Sequence, residues 1–104
     1  MKILDKEIDF DFEEAENMDK VIELDRKYKE LLAKSDTLVG KCKVYKDFFD
    51  ELIGRGTSQK IFGEKNNIFK ITDAYQDLIE EAEKVNNKMK EKTNKMNKKY
   101  ERYK

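Results

Sequence analysis

The chain has 104 residues, 38% hydrophobic and 44% charged, with no proline, no histidine and a single cysteine, Cys42. That length holds one domain with a thin core. Without histidine the commonest general base and transition-metal ligand are missing, and a lone cysteine builds neither an internal disulfide nor a thiolate cluster. The net charge is zero, but the two parts of the chain differ. Residues 1–83 carry 14 Lys/Arg against 21 Asp/Glu, a balance of −7, and residues 84–104 carry 9 against 2, a balance of +7. No apolar run approaches the ~20 residues that span a bilayer. The opening Met1-Lys2-Ile3-Leu4-Asp5-Lys6-Glu7 becomes charged too early for a signal segment. The expectation is a cytoplasmic protein with an acidic body and a basic tail.

In chain order, the first signal is alternation. Ile8, Phe10 and Phe12 share one side and Asp9 and Asp11 the other, the period of a half-buried strand. With Asp5-Lys6 as a tight turn, residues 2–4 and 7–11 are expected to form a small hairpin, whose apolar face must pack on the helices that follow. A first helix is expected to begin between residues 12 and 18, with Asp11 and Glu14 as a capping box or Asn17 as the cap. Met18, Val21, Ile22, Leu24, Tyr28, Leu31 and Leu32 then make an apolar stripe that reaches about Lys34. Glu23–Lys27 and Asp25–Lys29 are i,i+4 pairs in the favourable order.

Ser35-Asp36-Thr37 offers a break with good N-cap residues. The second helix presents Leu38, Cys42, Tyr45, Phe49 and Leu52, widened by Val44, Phe48 and Ile53. It is the most apolar helix and the expected centre of the core. It stops at Gly54-Arg55-Gly56. Residues 57–62 read as one short helical turn, capped by Thr57 and ended by Gly63. After a loop, the last helix begins near Asn67. Ile71, Tyr75, Leu78, Ala82, Val85 and Met89 step by four and three along it, a heptad seam. At Lys92 the seam fails, and Met96, Tyr100 and Tyr103 stand among lysines and asparagines. The expected fold is therefore mainly α. It comprises a compact helical domain over residues 1–85 with an N-terminal β-hairpin, and a long C-terminal helix whose residues 86–104 overhang or fray.

Candidate sites are few. Asp9, Asp11, Glu13 and Glu14 match no calcium loop and suit a helix N-terminus. Gly54-Arg55-Gly56-Thr57 lacks the Lys-Ser/Thr ending of a phosphate-binding loop. Cys42 lies on the apolar stripe as a small core residue. No nucleophile–base pair or metal set is evident, so neither catalysis nor a cofactor is expected. The basic tail, with Lys95, Lys98, Lys99 and Arg102, is open to three readings: protein docking, a solvated helix, or nucleic-acid binding through phosphates and the two tyrosines. Self-association through the hairpin edge or the seam of residues 71–89 is a further possibility.

Two motifs carry a family resemblance. The run Ile3-Leu4-Asp5-Lys6-Glu7-Ile8-Asp9-Phe10-Asp11-Phe12-Glu13-Glu14-Ala15-Glu16-Asn17 resembles the opening of a family of small proteins encoded in phages and prophages of Gram-positive bacteria. Phe48-Phe49-Asp50, followed by Gly54, Gly56-Thr57 and Lys60-Ile61-Phe62-Gly63, is similar to the same family's central signature. With the helices between them the two motifs cover most of residues 3–85. The end of the chain departs from the family. Relatives often finish in Asn-Arg-Ala-x-Arg-Arg, where Asn97-Lys98-Lys99-Tyr100-Glu101-Arg102 keeps the charge but not the motif. The resemblance implies a non-catalytic tail assembly chaperone in the cytoplasm of a bacterial host, binding tape measure or tail tube protein. On that expectation Phe48, Phe49, Ile61 and Phe62 divide between core and partner groove. Met89, Met96, Tyr100 and Tyr103 then form an adaptable contact row. A structural component of a tail or tail-like particle, and a DNA-binding accessory protein using the basic tail, are the alternatives.

Overall fold

The computed structural model describes residues 2–101, with side chains placed over residues 2–96. The chain is mainly α-helical, with a short hairpin at its start. Its elements are β1 (Lys2–Ile3), β2 (Lys6–Glu7), α1 (Ala15–Lys34), α2 (Leu38–Leu52), α3 (Thr57–Phe62) and α4 (Ile68–Glu101).

The hairpin is shorter than expected and its turn lies one residue earlier. Lys2 pairs with Glu7 and Ile3 with Lys6, and Leu4 and Asp5 form the turn at φ 47° and 67°. Two consecutive residues at positive φ make the hairpin turn that matches strand twist, although Asn-Gly is its usual sequence. The second strand ends at Glu7 instead of reaching residue 11. The alternation survives without the strand: Ile8 and Phe12 are buried and Asp9 and Asp11 exposed. Extended chain keeps the period of two whether or not it pairs.

α1 starts at Ala15, too late for Asp11 to cap it. The Asp11 carboxylate instead accepts the Glu13 N–H at 2.9 Å, and the Asn17 amide donates to the Asp11 carbonyl at 2.9 Å. Lys41 closes the other end of α1, donating to the carbonyls of Leu32 at 3.0 Å and Ser35 at 2.7 Å. As expected, Thr37 caps α2, its hydroxyl accepting the Gly40 N–H at 3.0 Å.

α3 turns back along α2, and its cap is supplied from α2 rather than by Thr57. The Thr57 hydroxyl donates to the Gly54 carbonyl at 2.7 Å. The Asp50 carboxylate accepts from the Ser58 N–H at 2.8 Å and the Ser58 hydroxyl at 2.9 Å. A side chain from a neighbouring helix thus meets the unpaired amides at the start of α3. Gly63 ends α3 at φ 66°, ψ −148°, a region open only to glycine. Asn67 caps α4, accepting the N–H groups of Phe69 and Lys70 at 3.2 Å.

α1 is antiparallel to α2 and to α4, while α2 and α4 run in the same sense. Lys27 on α1 reaches Glu51 on α2 at 3.1 Å and not Glu23, whereas Asp25–Lys29 forms at 2.9 Å. The core gathers Ile3, Ile8 and Phe12, then Val21, Leu24 and Tyr28 of α1, Phe48, Phe49 and Leu52 of α2, Ile61 of α3, and Ala74, Leu78 and Ala82 of α4. The α4 seam is consumed inside the chain. Ile71 and Leu78 are fully buried against its own elements, so that part is no dimer seam.

Two phenol–carboxylate contacts tie α1 down. Tyr28 donates to Glu51, and Tyr75 donates to Asp25. Burial first, and then these hydrogen bonds to carboxylates, push both phenols well above their ordinary value of 10.0. A raised folded-state value keeps stability intact below the unfolded value and withdraws it above. Urea stability should therefore fall as pH rises past about 10, and a Tyr28→Phe/Tyr75→Phe variant should lose less over that range. Asp50→Ala should cost about 1–2 kcal/mol, read as a lower urea midpoint at unchanged slope.

Candidate functional site

Of the four residues expected to divide between core and partner groove, three are core. Phe48 and Phe49 are 0% exposed and Ile61 is buried. Their burial has a simple cause: α1, α3 and α4 all close on the Phe48–Phe49 face of α2. Phe48 packs edge-on against Tyr28, Phe49 and Tyr75, with centroids 5.7, 5.7 and 5.0 Å apart. Phe62 is half-buried, edge-on to Phe49 at 5.4 Å. It lines a cleft of about 340 Å³ with Leu4, Lys65 and Lys70. Leu38 and Ile22, expected on apolar stripes, are 63% and 51% exposed. Leu38 sits in the first turn of α2, ahead of the stretch that α4 covers.

Val39 on α2 and Phe69 on α4 are also exposed, and the longest wholly exposed stretch lies on α4. Among the described residues Val85 is its last half-buried one, and residues 86–96 are all exposed. The helix backbone continues to Glu101. At 1.5 Å per residue, residues 86–101 extend about 24 Å past the last packed turn. Met89 and Met96, 54% and 59% exposed, lie on one face two turns apart and continue the line of Val85. Lys95 is exposed beside them. The side chains of Lys98, Lys99, Tyr100, Arg102 and Tyr103 lie outside the described residues.

Where this projection leaves the body, a cleft of about 500 Å³ opens between residues 10–13 and α4. Phe10, Phe12 and Val85 line it with Asp11, Glu13 and Glu91, and Lys84 and Lys88 line it as well. Phe10 and Phe12 meet edge-on at 4.9 Å. Glu81, also at the cleft, is held by Lys84 at 3.2 Å. Sequence reasoning assigned Phe10 and Phe12 to a strand and missed this cleft. The signal was present in the acidic–aromatic alternation of residues 8–12, but not the helix it would lie against.

Among the described residues no group of three or more His, Cys, Asp or Glu is placed to hold a metal ion, and no helix is long and apolar enough to cross a membrane. Cys42 is buried, its thiol 3.8 Å from the Asn66 carbonyl.

Fold and surface together define a small helical protein with an N-terminal hairpin and one projecting helix. The chain belongs to a family of unknown function, DUF6673, whose sequence model matches residues 4–104 and so takes in both the body and the projection. No curated protein and no solved structure matches it.

Burial separates the two sets of candidate residues, and stability measurements should do the same. Phe49→Ala should cost about 3–5 kcal/mol in urea unfolding. Met89→Glu/Met96→Glu, confined to the exposed projection, should change stability by no more than about 0.5 kcal/mol.

Proposed function

We propose that this chain is a non-catalytic binding protein that holds a helical partner along the projecting half of α4. The observation that carries this reading is the exposed Met89–Met96 row on a helix that runs on past its own body. A helix of that length gains nothing from intramolecular packing after Val85, and an isolated helix is marginal in water. A partner's apolar stripe would supply the missing cover. Methionine suits such a contact because its unbranched side chain adapts to irregular surfaces. The surrounding lysines favour a partner with acidic residues flanking its stripe.

The N-terminal and central motifs point this reading to tail assembly. On that proposal the protein acts as a chaperone in the bacterial cytoplasm, and its client is a tape measure or tail tube protein. A tape measure protein is a long helical chain whose apolar stripes would self-associate if left bare, and helix-against-helix docking suits it. The test is co-expression with the tape measure protein of the same genome. The client should become more soluble and co-purify, and Met89→Glu/Met96→Glu should abolish both effects. A client unaffected by the wild-type chain would contradict the tail-assembly reading. Salt-sensitive binding to duplex DNA, without client capture, would favour the nucleic-acid alternative instead.

A further inference from the structure

α4 carries a second line of helical spacing beside the one spent on the core. Ile79, Ala82, Asn86, Met89, Thr93 and Met96 follow one another by three and four residues, the a and d positions of a heptad repeat. The line begins on the body and ends on the projection. At the body end it borders a groove of about 150 Å³ between α1 and α4, with Met18 and Ile22 on one side and Ile79 and Ala82 on the other. A cavity of that size accepts a group as large as benzene. Ile22 is 51% exposed, and Met18 and Ile79 are half-buried. The body thus leaves apolar surface open in line with Met89 and Met96. Thr93 fits the same line, because its hydroxyl already donates to the Met89 carbonyl at 2.9 Å and brings no unpaired donor to a contact.

The flanks of the line change sign along α4. Glu83 follows Ala82 beside the groove, and Lys90 and Lys92 stand on the two sides of the projecting half. All three are exposed, and among the described residues none of them has an ion-pair partner.

We propose that the partner docks through a heptad-repeat helix of another protein, seated on this line from Ile79 to Met96 with one large apolar side chain in the α1–α4 groove. This rests on the reading of the projection as a docking helix and adds the extent of the site and the chemistry of its occupant. Acidic residues flank the partner's stripe where it meets Lys90 and Lys92, and a basic one where it passes Glu83. A polar residue in the partner's stripe faces Asn86, because an amide pressed against an aliphatic side chain would lose its water and gain no hydrogen bond. A second copy is a poor occupant. Residues 84–96 hold five lysines against one glutamate, so two such stretches would meet like with like.

The experiment is calorimetric titration with synthetic peptides of about four heptads, with leucine at a and d and asparagine at one central a position. A peptide with glutamate at its flanking positions should bind about tenfold more tightly than one with lysine there, and high salt should close the gap. Glu83→Lys should tighten the glutamate peptide further. Ile22→Glu, at an exposed position of α1, should weaken it about tenfold while the urea midpoint stays unchanged. Asn86→Leu should move the preference from the asparagine peptide to one with leucine throughout. A chain that binds neither charged peptide, or binds both equally, would overturn the proposal. So would a chain that is dimeric alone and monomeric as Ile22→Glu, which assigns the groove to a second copy. Binding that is lost in Met89→Glu/Met96→Glu but indifferent to Ile22→Glu and Asn86→Leu would overturn the longer line and leave the docking reading standing. Binding indifferent to Met89→Glu/Met96→Glu would remove that reading itself.

Discussion

Phe48 and Phe49 sit side by side on α2 and pack on different neighbours. Phe48 meets Tyr28 of α1 and Tyr75 of α4, and Phe49 meets Phe62 at the end of α3. Edge-on aromatic contacts of this kind add directional preference to the burial of large apolar surfaces. The other ties in the body reinforce the α1–α2 and α2–α3 junctions and add one between α4 and α1. Tyr28 bonds to Glu51 between α1 and α2, Tyr75 bonds to Asp25 between α4 and α1, and Asp50 caps α3 from α2. With 44% of its residues charged, the chain has little apolar surface to spare, so one dense aromatic junction carries much of its cohesion.

That economy explains what the sequence disclosed and what it withheld. Helix spans were legible because Val21, Leu24 and Tyr28, and then Cys42, Phe49 and Leu52, keep helical spacing and punctuation is clear at Thr37, Gly54 and Asn67. The seam read from the sequence runs on to Met89 and fails at Lys92, one turn past Val85, where packing on α4 ends. The role of the Phe48–Phe49 motif was not. A conspicuous aromatic pair followed by a glycine joint looks the same in sequence whether it faces a partner or three helices of its own chain. The cap on α3 was equally hidden, because Thr57 satisfies every local rule for a cap while Asp50 reaches the same amides from another helix. The cleft under Phe10 and Phe12 required knowing which helix lies beside residues 10–13, a tertiary fact that no local pattern encodes.

Function follows the same division. The conspicuous motif is spent on holding the body together, and on the proposed reading a partner meets the projection of α4. Opposite charges are segregated along the chain by design of the sequence and not averaged over the surface. A helix rich in lysine, with methionines spaced two turns apart, is poorly suited to stand alone and well suited to be covered. On the proposed reading the fold is a stable mount that presents one helix.

Amide hydrogen exchange with and without a bound partner tests this account most directly. Exchange measures the free energy of local opening along the chain. In the chain alone the amides of α2 around Phe48 and Phe49 should be the most protected, and those of residues 86–96 should exchange fast. With a partner bound, protection should appear in residues 86–96 while α2 stays unchanged. Strong protection of residues 86–96 in the chain alone, or exchange there that ignores a bound partner, would contradict the account.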